Sequence, residues 1–580
     1  MTTHTDDHAL TTGILALVGP VDAAVQHRLR EAAEVEHLSP GATVCEAGAA
    51  ATDVYVVLSG AVVVVDNRSD TPAVRRWLGS GDAFGELAPM LEQARSATVI
   101  ARRASRIARI PWDVLAPVFA HTPGVAWRTA RRIGRWLSTP SPPRDLHHVV
   151  ALVLPTDTDW QAVLVDPLQA SLAAFGAVEV VVVDGEPLHP RLDTAHQAGR
   201  RVLLVARSEA EAHTAIDHAD LVVQVVDAAS ATVPHLGNGH TLVERWRVRV
   251  HESDAVMPIP AAKQAVGSEP DLLLNLRLGT PAHIHRLARF IAGEAVGLAL
   301  SGGGARGFAH FGVVRALHEH GVPIDFLSGS SAGSLAAVLV AHEGDLAALS
   351  AERVLRLTAE GNPFADPTLP IVALTRGKRI RRALQRVFAD LRIEDLWIPV
   401  RVAVADLGAG SLQSHGRGEA WRLCLASGSP PGLSTPVVVD GRVCCDAGIL
   451  DNLPLGLLSS HCRVRLASMV SAARDLHIEA DDFPSPWAVL RNRLTPSAPS
   501  IAPDLADILG ATAVLASRAS KRRVQQEADL LIEPELDGFS ILDFSRHAEL
   551  AELAYAHTVD QLENTPSIEV LRARLAGRPA

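Results

Sequence analysis

The sequence predicts a multidomain chain in which a small β-roll is followed by an α/β layer with a parallel sheet and then by a larger α/β domain. Three observations carry this. The 580 residues exceed what one hydrophobic core usually serves, about 250–300 residues. Residues 15–137 contain short alternating apolar and polar runs with frequent turn signals, as in a small β-roll. From 148 onward the pattern becomes strand-like runs separated by helical ones, as βαβ units require. We divide the chain into 1–137, a linker 138–148, an α/β spacer 149–250, a connector 251–290, an α/β core 291–565 and a tail 566–580.

Within the first region, VYVVLSGAVVVVD (54–66) reads as two strands around a turn at Ser59-Gly60. Phe84-Gly85-Glu86-Leu87-Ala88 follows, and nine residues after the glutamate comes Arg95-Ser96-Ala97-Thr98. A glycine turn, a carboxylate and an arginine so spaced resemble the phosphate-binding cassette of cyclic nucleotide-binding domains. An arginine fork can pair with a cyclic phosphate, and a carboxylate can accept a hydrogen bond from a ribose hydroxyl. The resemblance implies that Arg95 takes the phosphate and Glu86 the ribose of cAMP or cGMP, with Gly85, Leu87 and Ser96 shaping the loop. The alternative is a roll that keeps the fold without the ligand.

The basic run 129–138, TARRIGRWLS, is expected to close the roll as a helix. No second helix follows it to complete a DNA-reading pair, because Thr139-Pro140-Ser141-Pro142-Pro143 intervenes as a stiff linker. The spacer then offers strand-like runs at 149–155, 178–184, 201–206 and 221–227, with helical stretches at 160–175 and 208–218. No G-x-x-x-x-G-K-[ST] follows its first strand, so nucleotide hydrolysis is not indicated there.

The core begins with VGLALSGGGARGFAHFG and continues one βα unit later with FLSGSSAGS. Gly329-Ser330-Ser331-Ala332-Gly333 reads as a nucleophile elbow, since small neighbours let a strained strand-to-helix turn expose a serine hydroxyl. Ser331 is the candidate nucleophile. The earlier turn also spells G-x-G-x-x-G, a dinucleotide fingerprint. That reading needs an acid closing the second strand, whereas Asp325 stands near the strand's start. An oxyanion hole made of backbone N–H groups fits better, with Gly302, Gly303, Gly304, Arg306 and Gly307 as its residues.

These two turns, with Asp446-Ala447-Gly448 further on, resemble the patatin-like phospholipase family, whose G-G-G-x-[RK]-G, G-x-S-x-G and D-G-[GA] motifs make a Ser-Asp dyad. Alanine replaces that family's middle glycine in the third motif, and a methyl group there is tolerable where φ stays negative. The resemblance implies a serine acyl hydrolase, a lysophospholipase, phospholipase or carboxylesterase, with Ser331 and Asp446 catalytic. The order of regions, and the segments 374–380, 392–400, 426–432 and 528–544, are similar to bacterial relatives of neuropathy target esterase. That similarity implies a lipid ester substrate met by transient contact with a membrane surface, and regulation by the nucleotide domain. A scaffold with an inactive hydrolase module is the alternative.

An ordinary carboxylate is a weak base for a serine hydroxyl, so the Asp446 site should be apolar enough to raise its pKa. A Ser-His-Asp triad with His461 or His547 is permitted by sequence order. Asp406 is expected in an Asx turn at a strand end and His310 as a packed core histidine. Arg306 either adds charge near the oxyanion or braces the loop.

A net charge of −11 argues against nucleic acid as a partner. Five cysteines, Cys45, Cys424, Cys444, Cys445 and Cys462, show no zinc spacing, so no metal is expected. Residues 1–10 lack a basic and apolar leader, and no run is long enough to span a bilayer. The expected location is cytoplasmic, with peripheral membrane association.

Overall fold

The computed structural model describes residues 4–66, 73–121, 124–125, 148–156, 159–230, 243–261, 270–343, 362, 364–470, 482–495, 501–502 and 521–564. The closing helix expected at 129–138, the linker but for His148, and the tail 566–580 lie outside them. Contacts divide the chain into two compact units. One comprises 1–250, 264–273 and 278–293, and the other 251–263, 274–277 and 294–580.

The first unit opens with two four-stranded antiparallel sheets. One is ordered Glu34–Leu38, Ser105–Pro111, Asp53–Ser59, Ala83–Phe84, and the other Thr43–Cys45, Thr98–Ala101, Ala61–Asp66, Ala73–Gly79. The turn at Gly60 therefore does not make a hairpin. It passes the chain from one sheet to the other, with Gly60 at φ +87°. Val54, Val56 and Leu58 pack with Ile110 and Leu115 in one core, and Val57, Val62 and Ile107 pack in another.

The same unit holds a parallel sheet in the order Val178–Val182, Arg201–Ala206, Val149–Val153, Leu221–Asp227, Glu244–His251. Its central strands are buried along their whole length and read as unbroken apolar runs, as strands covered on both faces do. The strand Glu244–His251 was not expected as one; its alternating charges mask a period-2 set of Trp246, Val248 and Val250, all buried. Asp220 ties the roll to this layer: its Oδ2 accepts from Val149 N–H at 2.9 Å and pairs with Arg103 Nη1 at 3.1 Å, and Arg102 Nη2 donates to its carbonyl at 2.7 Å.

The second unit is built on β1 (Ala295–Leu300), β2 (Phe326–Gly329), β3 (Val400–Asp406), β4 (Ser411–His415), β5 (Val437–Val439), β6 (Arg442–Cys445), β7 (Cys462–Ser468) and β8 (Leu530–Ile532). They form one sheet in the order β5-β6-β3-β2-β1-β7-β8, with β4 on β3. The pairs among β3, β2, β1, β7 and β8 are parallel, while β4, β5 and β6 add antiparallel edges. Helices α1 (Ala309–Glu319), α2 (Ala332–Glu343), α3 (Lys378–Phe388), α4 (Ala420–Ser427) and α5 (His547–Asn564) cover it. The core between them is aliphatic, with Leu298, Leu300, Val313, Leu327, Val338 and Val402 fully buried. The two glycine-dense turns leave the carboxyl ends of β1 and β2, adjacent parallel strands, which is where open α/β sheets place their ligands.

Candidate active site

Ser331 sits between β2 and α2 at φ +50°, one of the few non-glycine residues in the left-handed region. Such a conformation costs roughly 1–3 kcal/mol and persists only where surroundings enforce it. The elbow glycines do so by allowing contact: a Cβ on Gly329 would lie 2.4 Å from the Gly333 carbonyl oxygen, and one on Gly333 would lie 2.2 Å from that of Leu300. Ser331 N–H donates to Ser427 Oγ at 2.9 Å, and Ser427 is fully buried at the end of α4. Ser331 also caps α2, its carbonyl accepting from Ser334 N–H at 3.0 Å.

The hydroxyl of Ser331 donates to Asp446 Oδ2 at 2.7 Å. Asp446 follows β6, and its other oxygen accepts from Gly448 N–H at 2.8 Å, which fixes the carboxylate plane. Ala447 is fully buried and is not among the positive-φ residues, so the departure from D-G-[GA] leaves the aspartate aimed at the serine. Burial pushes the Asp446 carboxyl up to about 6, against the opposing pull of the Gly448 and Ser331 hydrogen bonds. Among the described residues, neither Ser331 nor Asp446 bonds a histidine.

His310 lies on α1, fully buried, and bridges the ends of β1 and β7. Its Nε2 is 2.9 Å from the Ser301 carbonyl, which can only accept, so Nε2 carries the proton and Nδ1 accepts from Ser468 Oγ at 2.8 Å. Burial lowers its pKa to about 4 and keeps it neutral. Asp406 ends β3 in an Asx turn, Oδ1 accepting from Gly408 and Ala409 N–H, with Oδ2 on Arg442.

The glycine loop is less uniform than its sequence. Gly302 N–H donates to the Asn452 carbonyl at 3.0 Å, and Asn452 Nδ2 returns a bond to the Gly302 carbonyl at 3.3 Å, so Gly302 has no proton to offer an oxyanion. Arg306 is buried and directs Nε and Nη2 to the Phe539 carbonyl at 2.9 and 2.7 Å; its guanidinium braces the loop on the carboxyl-terminal segment. Its N–H bonds Gly303, and that of Ala305 bonds Ile541. Gly307 packs on Ala332, where a Cβ would come within 2.6 Å of the alanine methyl. No hydrogen bond among the described residues takes the N–H of Gly303 or Gly304.

Gly304 and Ser331 line one cavity of about 790 Å³, counting its open mouth. Its walls are apolar, with Phe308, Phe311, Phe364 and Phe544 and, from α3, Ile380, Ala383 and Leu384 among the lining residues. Cys424 also lines it, its thiol pushed up to about 12 by burial and thus inert. Among the described residues no group of His, Cys, Asp and Glu could hold a metal ion.

In the roll, Gly85 at φ +87° and Arg95 come together. Arg95 Nη1 donates to the Gly85 carbonyl and Nη2 to that of Asp53, both at 2.6 Å, and the guanidinium lies 5.3 Å from the centre of the Tyr55 ring. The arginine is turned inward, only 6% exposed, and its Nε–H is buried with no acceptor among the described residues. Glu86 is buried before the short helix Leu87–Met90, whereas Ser96 is exposed.

The pattern of the patatin-like phospholipase family matches residues 298–459, and that of the cyclic nucleotide-binding domain matches 35–122. The chain is similar to lysophospholipase NTE1 of Kluyveromyces lactis, 34% identical over 48% of this chain and 20% of that protein. It is also similar to an uncharacterized NTE family protein of Mycobacterium bovis, 29% identical over 91% of this chain and 92% of that one. The chain thus spans a fifth of the yeast relative's length and most of the mycobacterial one's. A solved structure of the regulatory domain of Toxoplasma gondii PKA with cAMP is 20% identical, over 23% of this chain and 50% of that chain, with a TM-score of 0.20. The chain therefore combines a patatin-like phospholipase domain with a cyclic nucleotide-binding domain, and its relatives are NTE family proteins.

Proposed function

We propose that this chain is a serine acyl hydrolase that cleaves the acyl ester of a lysophospholipid or related lipid through Ser331 and Asp446. The observation that carries the reading is the 2.7 Å bond from Ser331 Oγ to a buried carboxylate, made from an elbow at φ +50°. Asp446 takes the serine proton as Oγ attacks the ester carbonyl, and the tetrahedral oxygen is held by the N–H groups of Gly303 and Gly304. The proton then passes to the departing alcohol, leaving acyl-Ser331. Water activated by Asp446 hydrolyses that intermediate and restores the dyad. The apolar cavity beside Ser331 suits an acyl chain. An inactive scaffold would need no aligned dyad, so the intact geometry favours catalysis.

Asp446 acts only when ionised, and its raised pKa sets the pH dependence. The value of kcat/KM for lysophosphatidylcholine should rise with pH, tenfold per unit, and level off above about 6. A plateau that already begins near an ordinary carboxylate pKa, about 4, would contradict the buried base.

We further propose cAMP or cGMP as ligand of the roll. Arg95 supports it: a buried Nε–H without an acceptor is costly to leave, and a cyclic phosphate would supply one while drawing the side chain from Gly85 and Asp53. The strand Thr98–Ala101 runs from Arg95 to Arg102 and Arg103, which grip Asp220, so such motion has a short route into the α/β layer. Calorimetry should show nucleotide binding that Arg95→Ala loses by at least about tenfold. Equal binding by both proteins would remove Arg95 from the site.

A further inference from the structure

Between Phe364 and Ile380, both of which line the cavity, the chain makes a narrow loop closed by a bridge between Pro367 and Thr375, with Thr368 N–H donating to the Leu374 carbonyl at 2.9 Å. Its tip is Leu369-Pro370-Ile371-Val372. Leu369 is 72% exposed, Ile371 81% and Val372 66%, a run of apolar residues that no packing within the unit covers. Single exposed apolar residues are ordinary; a contiguous tip is not.

The loop leads directly into Arg376 and α3. Between 376 and 386 the chain carries Arg376, Lys378, Arg379, Arg381, Arg382 and Arg386 and no acidic residue, all six exposed, in a protein of net charge −11. No described carboxylate forms an ion pair with Arg376, Lys378, Arg379, Arg381 or Arg382. Asp366 accepts from the N–H groups of Lys378 and Arg379 and so caps the helix. The opposite face of α3 lines the Ser331 cavity with Ile380, Ala383 and Leu384. One helix therefore presents a cationic surface outward and an acyl-sized apolar wall inward, with an uncovered apolar tip at its amino end.

We infer that residues 369–382 form a docking surface for an anionic lipid aggregate, in which the Leu369–Val372 tip enters the acyl boundary and the α3 cations meet the headgroups. Cations near a charged leaflet are each worth a substantial factor in binding, and an apolar tip adds a term that salt does not screen. A nucleic acid would also attract the cations, but its phosphate backbone offers nothing to an apolar tip. Docking here sets the cavity wall against the surface from which a single-chain lipid is withdrawn. In purpose, this inference rests on the hydrolase reading; its binding arm does not.

The test is co-sedimentation of the full chain with vesicles of phosphatidylcholine alone and with about 30 mol% phosphatidylserine. The wild type should prefer the anionic vesicles, and Lys378→Glu/Arg379→Glu/Arg382→Glu should weaken that binding by roughly 100-fold or more. Ile371→Asp should weaken it by about tenfold, and the loss should persist near 1 M salt, where the Debye length is about 3 Å. Turnover of a monomeric short-chain ester, which needs the dyad and the oxyanion loop but no lipid surface, should be unchanged in both variants and also reports that they fold. Equal binding to both vesicles, variants that bind as the wild type does, or preference for a short DNA duplex over anionic vesicles would overturn the docking surface. Absence of ester turnover in the wild type would count against the hydrolase reading and leave the vesicle result to decide this one.

Discussion

Ser331→Ala should abolish hydrolysis, with kcat reduced by roughly 10⁴-fold or more and thermal stability close to the wild type. The substitution removes Oγ and nothing that packs, since the hydroxyl's partner is the Asp446 carboxylate. Asp446→Asn should cost a comparable factor for a different reason. The amide is isosteric and its oxygen can still accept from Gly448 N–H, so the turn should stay formed. It cannot take a proton, and among the described residues no histidine bonds either residue to replace it. Initial rates on lysophosphatidylcholine, with melting curves beside them, separate lost chemistry from lost fold. Wild-type turnover by either variant would refute the dyad.

Gly304→Ala should lower kcat by roughly 10²–10³-fold, the loss typical of a disrupted oxyanion hole. Gly304 has φ +58°, a region costly for alanine, and its Cβ would sit 2.4 Å from the Ile541 carbonyl oxygen. That contact is backbone, so it cannot be relieved by turning a side chain. The loop must shift, and the N–H groups of Gly303 and Gly304 shift with it. KM should change less than kcat, because most of the cavity wall, formed by the phenylalanines and by Ile380, Ala383 and Leu384, lies outside the loop. A Gly304→Ala protein with unaltered kcat would take the oxyanion role away from this turn.

The contact between Ser331 and Asp446, the pair proposed as catalytic, was legible in the sequence because each partner lies inside a short motif whose local geometry dictates its residues. Small residues around Ser331 and the turn after Asp446 are written within a few positions of the side chain they aim. What holds those motifs together was not legible. Ser427 is 96 residues from the Ser331 N–H it accepts, Asn452 is 150 from Gly302, and Phe539 is 233 from Arg306. A serine or asparagine bonded to distant backbone carries no periodicity or spacing, and the segment 426–432 that holds Ser427 was marked only by its similarity to relatives of neuropathy target esterase. The same limit governs the oxyanion loop. Its residues look equivalent in sequence, yet the Gly302 N–H is committed to Asn452 and the Arg306 N–H to Gly303, while those of Gly303 and Gly304 take no acceptor among the described residues. In the fold, apolar runs such as Arg201–Ala206 announced buried parallel strands, while the arginines of Glu244–His251 hid one.

The central claim is that Ser331 is an activated nucleophile, and covalent labelling tests it most directly. A fluorophosphonate, which reacts with serines only where a base and an oxyanion hole are in place, should add one label to the wild type, located by peptide mass on Ser331. Ser331→Ala should take none, and Asp446→Asn should react far more slowly. A wild-type protein that stays unlabelled, or one labelled equally after Ser331→Ala, would contradict the account.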